Sequence, residues 1–278
     1  GKTLVVTDGT TLLGADDKAG VAEIMEVLET LVNDPSIKHG PIRVCFSPDE
    51  EIGGGTSYFD YDRFKVDFAY TLDGDRPDSI EYENFNAASA RVVVHGRNIH
   101  PGSAKNKMVN SQLIAMEYNG LLPVHQRPDC TEGYEGFIHL TDMAGEVEQS
   151  VLRYIIRDHN MEKFQQKKDV MEAAAAFINA KYGADTVELT IKDSYFNMKK
   201  LIEPCMHIVD KAKKAMKDAG MEAVEVPIRG GTDGARLSYE GLPCPNLCTG
   251  GENYHGRFEF IPVEDMEKCV NMLIALVQ

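Results

Sequence analysis

At 278 residues the chain is long enough for one large or two moderate domains, and 43% hydrophobic against 26% charged residues is the balance of a soluble globular protein. The net charge of −15 argues against a nucleic-acid partner, and the most basic stretch, residues 211–217, falls at helical spacing and reads as a solvated helix face. No run approaches the ~18–20 apolar residues that span a bilayer, which excludes a membrane-spanning helix. The start, Gly1-Lys2-Thr3-Leu4-Val5-Val6, has neither a signal-peptide pattern nor an initiator Met, which predicts a processed or trimmed chain. Cys45, Cys130, Cys205, Cys244, Cys248 and Cys269 sit in apolar contexts without a CxxC pair. They read as reduced thiols of a cytoplasmic protein.

In chain order, residues 4–7 predict a strand closed by the turn dipeptide Asp8-Gly9. Val21, Ile24, Met25, Leu28, Leu31 and Val32 recur at helical spacing up to Asp34-Pro35. Residues 42–46 predict a buried strand, and 68–72 another that ends at Asp73-Gly74. Strands alternating with helices predict a mostly parallel α/β sheet with flanking helices. The character changes near Asn86. Strand 89–94, helix 108–121, strands 136–140 and 151–157, helix 161–182 and strand 186–192 follow in the order βαββαβ, the ferredoxin-like arrangement. The α/β pattern then resumes with helix 207–219, a glycine-rich stretch 228–234, strand 246–249 and a closing helix 263–277 opened by Pro262. The expected organisation is a discontinuous catalytic domain, 1–86 and 198–278, interrupted by an inserted lid or dimerisation domain, 87–197.

Four motifs fall where strands of the sheet should end, the place where open α/β sheets bind ligands. They are Asp16-Asp17 before the first helix, Asp49-Glu50-Glu51 after strand 42–46, Asp73 after strand 68–72, and His255 in Asn253-Tyr254-His255-Gly256. Each alone has an ordinary reading: a turn aspartate, a solvated glutamate pair, a surface histidine. Together, carboxylates and an imidazole from separate strand ends suit a divalent ion such as Zn²⁺, Co²⁺ or Mn²⁺. Of the adjacent pair Glu50 and Glu51, one could bind the ion and the other serve as general base.

The same motifs resemble those of the M20 metallopeptidases. The stretch from Leu12 to Gly20, Ser47-Pro48-Asp49-Glu50-Glu51, Tyr70-Thr71-Leu72-Asp73-Gly74 and Asn253-Tyr254-His255-Gly256 follow that family's motifs in order. Residues 83–88, 155–158 and 228–234 are similar to segments of its tripeptide-cleaving aminopeptidases. The resemblance implies a zinc aminopeptidase-like fold with an inserted ferredoxin-like domain, two Zn²⁺ per complete subunit, and short peptides as substrates. It implies that Asp16 bridges the ions, Glu51 and His255 complete one, Asp73 binds the other, and Glu50 is the general base. His100, in His100-Pro101-Gly102, would help hold the oxyanion, often in a partner subunit's site, and Arg229 and Arg157 would bind the peptide carboxylate. Read from their own residues, His100 is a strand-to-helix turn, Arg229 part of a tight loop and Arg157 a strand arginine paired with a nearby acid. A homodimer through the inserted domain is also implied.

The chain departs from the family in one respect: no His-x-Asp motif precedes Asp16, and the first histidine is His39. The expectation is therefore part of a longer enzyme, impaired as it stands and with one metal short of a ligand. The alternatives are another M20 activity (dipeptidase, carboxypeptidase or N-deacylase) or a non-catalytic chain acting through dimerisation.

Overall fold

The computed structural model describes residues 1–74 and 76–278, which form two compact units, Gly1–Asn84 with Met198–Gln278, and Phe85–Asn197. The first unit opens with β1 (Leu4–Val6), then α1 (Ala15–Asn33), α2 (Tyr61–Phe64), β2 (Thr71–Gly74) and β3 (Ser79–Glu81). The second comprises β4 (Asn86–His95), α3 (Ser111–Leu121), β5 (Phe137–Gly145), β6 (Gln149–Asp158), α4 (Met161–Tyr182) and β7 (Val187–Tyr195). The chain then returns to the first unit through α5 (Lys199–Ile202), α6 (Met206–Asp218), β8 (Val224–Glu225), α7 (Asp233–Tyr239), β9 (Asn246–Cys248), β10 (Phe260–Pro262) and α8 (Val263–Val277).

In the first unit the main sheet has the order β2-β9-β3-β8, and a separate two-stranded ribbon pairs β1 with β10. The β2–β9 and β3–β8 pairs are parallel and β3–β9 is antiparallel, so the sheet is mixed α/β and mostly parallel. Helices α1, α6 and α8 supply much of the core: Val27 and Leu31 from α1, Ile208, Val209, Ala212 and Met216 from α6, and Met272, Leu273 and Leu276 from α8. Burying each of these side chains larger than Ala212 contributes roughly 1.5–3 kcal/mol. The inward row of α1 is Ala19, Glu23, Val27 and Leu31, at i, i+4 spacing. Val21, Met25 and Val32, part of the apolar periodicity that marks this helix, are 40%, 52% and 81% exposed instead.

Two strand expectations are corrected. Residues 42–46 form no strand: among the described residues no backbone partner joins them, and Ile42, Val44 and Phe46 are 36–47% exposed. An extended apolar run becomes a strand only when a neighbour completes its ladder, and this run has none. The second strand begins at Thr71, not residue 68, so Asp73 lies inside it. The reason lies in the segment alongside, residues 243–246. Ala69 and Thr71 donate to the carbonyls of Pro243 and Pro245 (3.0 and 3.2 Å), but prolines have no N–H to return, and the regular ladder starts only at Asn246.

The second unit has the strand order β5-β6-β4-β7, all neighbours antiparallel, with α3 and α4 packed on the sheet. With its βαββαβ element order this is the ferredoxin-like arrangement. Tyr118, Tyr154, Phe164, Met171 and Ile178 are fully buried in its core, and the Tyr118 hydroxyl donates to the Met171 carbonyl at 3.0 Å. Asn160 caps α4 by accepting from the Lys163 N–H at 3.0 Å.

Candidate metal centre

Three loops of the first unit bring the acidic motifs together. The first precedes the regular part of α1. Gly14 adopts φ +68°, open to glycine at little cost, and Asp16 and Asp17 keep non-helical dihedrals before the helix settles. The Asp16–Asp17 peptide bond is cis.

The second loop is a single 3₁₀ turn, Glu50–Ile52, flanked by Asp49 and Gly53 in the left-handed region. Gly53 and Gly54 donate back to the carbonyls of Glu50 and Asp49 (2.6 and 2.8 Å), so the glutamates project from a closed turn. Gly55 leaves room for the Asp233 carboxylate: a Cβ there would lie 2.1 Å from it, and that side chain would have to move aside. The third loop carries His255, itself at φ +59°.

His255 Nε2 lies 2.9 Å from Asp16 Oδ2 and 2.9 Å from Glu51 Oε2. One donor atom from each of the three residues falls within 4.8 Å of the other two. Donors at ~2.0–2.2 Å from a tetrahedral zinc are themselves roughly 3.3 Å apart, so this trio suits a divalent ion with little movement.

The electrostatics point the same way. A cavity of about 360 Å³ is lined by Asp16, Asp17, Glu50, Glu51, Asp73 and Asp233 on its acidic side, and by Phe59, Phe64 and Leu237 among its apolar residues. Burial, reinforced by Asp16, Glu50 and Glu51, pushes the Asp17 carboxyl up to about 7. Burial, then Asp233, Glu51 and Asp16, does the same to Glu50, also to about 7. Asp73 is raised well above the carboxylate range by burial, by Asp17, Glu50 and Asp16, and by its hydrogen bond to Asp16. Partial burial would lower the His255 imidazolium, but Glu51 and Asp16 outweigh it and the net shift is upward. So many carboxyls in one cavity repel one another, and a divalent cation relieves that repulsion.

Four expected ligands, Asp16, Glu51, Asp73 and His255, therefore gather with Glu50 on one side of the first unit. Arg229, half-buried in the loop between β8 and α7, is not among the residues lining the cavity. His100 and Arg157 belong to the second unit. His100 is exposed and caps a short 3₁₀ turn, its Nδ1 accepting from the Gly102 N–H at 3.1 Å. Arg157 donates to the carbonyls of Ala88 and Ile156 (3.1 and 2.9 Å) and lies 5.5 Å from the Tyr195 ring centroid.

Sequence reasoning gave no role to Asp17 or Asp233. Asp233 opens α7, whose start the Thr232 hydroxyl caps by accepting from the Gly234 N–H at 3.3 Å. A Thr-Asp-Gly start before Ala235, Leu237 and Ser238 is a helix N-terminus signal, and it would have placed Asp233 in the first turn of a helix.

The chain belongs to the peptidase family M20/M25/M40, whose model matches residues 7–278. Peptidase T of Clostridium perfringens is 58% identical over 278 residues, the whole of this chain and 68% of that protein. Peptidase T of Alkaliphilus oremlandii is 56% identical over the same share of each. The crystal structure of the aminopeptidase PepT from Bacillus cereus superposes with a TM-score of 0.85 at 26% identity, over 99% of this chain and 73% of that one.

Proposed function

We propose that this chain carries the catalytic centre of a metal-dependent aminopeptidase that releases the N-terminal residue of tripeptides. The observation that carries the reading is the convergence of Asp16, Glu51 and His255, with the Glu50 carboxyl on the cavity wall beside them. The similarity to the two peptidases T and to PepT supports the aminopeptidase class, and the choice of tripeptides follows the resemblance of residues 83–88, 155–158 and 228–234. Asp16 would bridge two ions, Glu51 and His255 complete one, and Asp73 hold the other, with zinc the assigned metal and cobalt or manganese able to replace it. Bound there, divalent ions supply Lewis acidity toward the scissile carbonyl and make water more acidic. Glu50, on the wall of the same cavity and not assigned to an ion, would take the attacking water's proton and deliver it to the leaving amine. His100 is assigned to the oxyanion, and Arg157 and Arg229 to the peptide carboxylate, for which a guanidinium offers two parallel donors. We place the protein in the cytoplasm, as a homodimer through the second unit. The six free thiols support a reducing compartment, and no described helix is long and apolar enough to cross a membrane.

The test pairs metal analysis with hydrolysis of a tripeptide, a dipeptide and an N-acylated amino acid. Glu50→Gln should retain bound zinc and lose about 10²–10⁴-fold in turnover, while Asp16→Asn should lose the metal itself. Preferential cleavage of the N-acylated amino acid would replace the aminopeptidase reading with a deacylase. Full zinc binding by Asp16→Asn would remove the proposed centre.

A further inference from the structure

Glu259 lies four residues beyond His255 and is 3% exposed. Both of its carboxylate oxygens are bonded to the backbone of the loop that carries Asp16. Oε2 accepts from the Gly14 N–H at 2.7 Å and Oε1 from the Asp16 N–H at 3.2 Å. The Glu259 N–H in turn bonds to the carbonyl of Gly256, the residue next to His255, at 3.2 Å. The His255 loop is closed at its neck, where Glu252 and Phe260 exchange N–H···O bonds of 2.9 and 3.1 Å, and Asn253 Nδ2 donates to the Phe258 carbonyl at 3.1 Å. One buried carboxylate therefore ties two segments that are distant in sequence, each of which bears a donor of the trio.

Such a tie has a physical purpose. Asp16 is held at φ −86° and ψ 102°, outside the helix that follows it, so helical hydrogen bonding does not fix its backbone. The N–H groups at a helix start have no intrahelical acceptor, and hydrogen bonds to an ionised acceptor are roughly twice as strong as neutral ones. Two of them, from one rigidly buried side chain, set both the distance and the orientation of the Asp16 backbone relative to the His255 loop. Residues that orient ligands in this way tune metal affinity without touching the ion.

We propose that Glu259 is a positioning residue that holds Asp16 in register with His255 and thereby sets the affinity of the centre for its metal. The inference rests on the assignment of Asp16 and His255 as ligands. The experiment is a cobalt titration of the full chain, followed by visible absorption of the bound ion and by circular dichroism, for the unaltered protein, Asp16→Asn, Glu259→Gln and Glu259→Asp. A glutamine keeps the volume but has one acceptor, and its NH₂ faces the second backbone N–H. Glu259→Gln should keep the circular dichroism spectrum, bind cobalt about 10–100-fold more weakly, and show an altered absorption band. Glu259→Asp, which keeps the charge but reaches less far, should fall between, and it carries the test if the glutamine variant does not fold. Cobalt binding weakened in Asp16→Asn but unchanged in affinity and absorption in the Glu259 variants would overturn the positioning role alone. Binding indifferent to Asp16→Asn would overturn the ligand assignment, and the positioning role with it.

Discussion

Glu23 faces the core of the first unit at 1% exposure, and among the described residues neither of its carboxyl oxygens has a hydrogen-bond partner. Burial, then the proximity of Cys248 and Asp17, pushes its carboxyl from the ordinary 4.5 up to about 10. Between those two values the folded chain holds a proton that the unfolded chain releases. The folded state therefore binds more protons, and stability falls as pH rises through that window, by up to about tenfold in the folding equilibrium per pH unit. Glu23→Gln removes the titration and should raise the urea midpoint at pH 8 by more than it does at pH 5. Equal gains at both pH values would refute the assignment. At this scale the sequence is legible only where chemistry leaves a local signature. Asp16, Glu51 and His255 sit in short motifs of acidic, glycine and turn residues, so their convergence could be anticipated. Glu23 lies within a helical repeat where it looks like a solvated residue, and Glu259, between Phe258 and Phe260, looks like the outward position of an alternating apolar run. What singles them out is burial, which depends on contacts far away in the chain.

The long helices of the first unit, α1, α6 and α8, were legible as elements because each carries its own repeat: α8 runs from Pro262 to the last apolar turn, and α1 up to Asp34-Pro35. The short α2, α5 and α7 carry too few turns to show one. The short strands were less so. β2 starts late because Pro243 and Pro245 cannot return a hydrogen bond, and residues 42–46 stay irregular for want of a ladder partner. Both outcomes depend on what lies alongside, which a strand's own residues do not state. The same dependence makes α7 sensitive to packing. Gly234, in its first turn, approaches the chain so closely that a Cβ would lie 2.4 Å from the Cys244 carbonyl oxygen. The Cys244 backbone cannot give way as a flexible side chain would, and the Thr71 hydroxyl would lie 3.2 Å from the same Cβ. Gly234→Ala should therefore destabilise the protein by about 1–3 kcal/mol, read as a lower urea midpoint with an unchanged slope. A midpoint equal to that of the unaltered chain would mean that α7 shifts freely.

The two units differ in how sequence builds them, and that difference decides which can stand alone. In the first, the sheet order β2-β9-β3-β8 interleaves strands from Gly1–Asn84 with strands from Met198–Gln278, and β2 never pairs directly with β3. Residues 1–84 alone thus contain two strands of the main sheet that lack their neighbours, and they should remain unfolded. The second unit is a single uninterrupted segment, Phe85–Asn197, with its own four-stranded sheet and a core built from its own residues. At roughly 110 residues it exceeds the ~60 at which domains begin to fold without disulfides or metals, and its buried Lys167–Asp158 ion pair, 2.6 Å long, closes within it. Expressed by itself, residues 85–197 should give a cooperative urea transition and a mixed helix and strand circular dichroism spectrum, whereas 1–84 should show neither. A non-cooperative transition for 85–197 would mean that its core is completed by residues outside it.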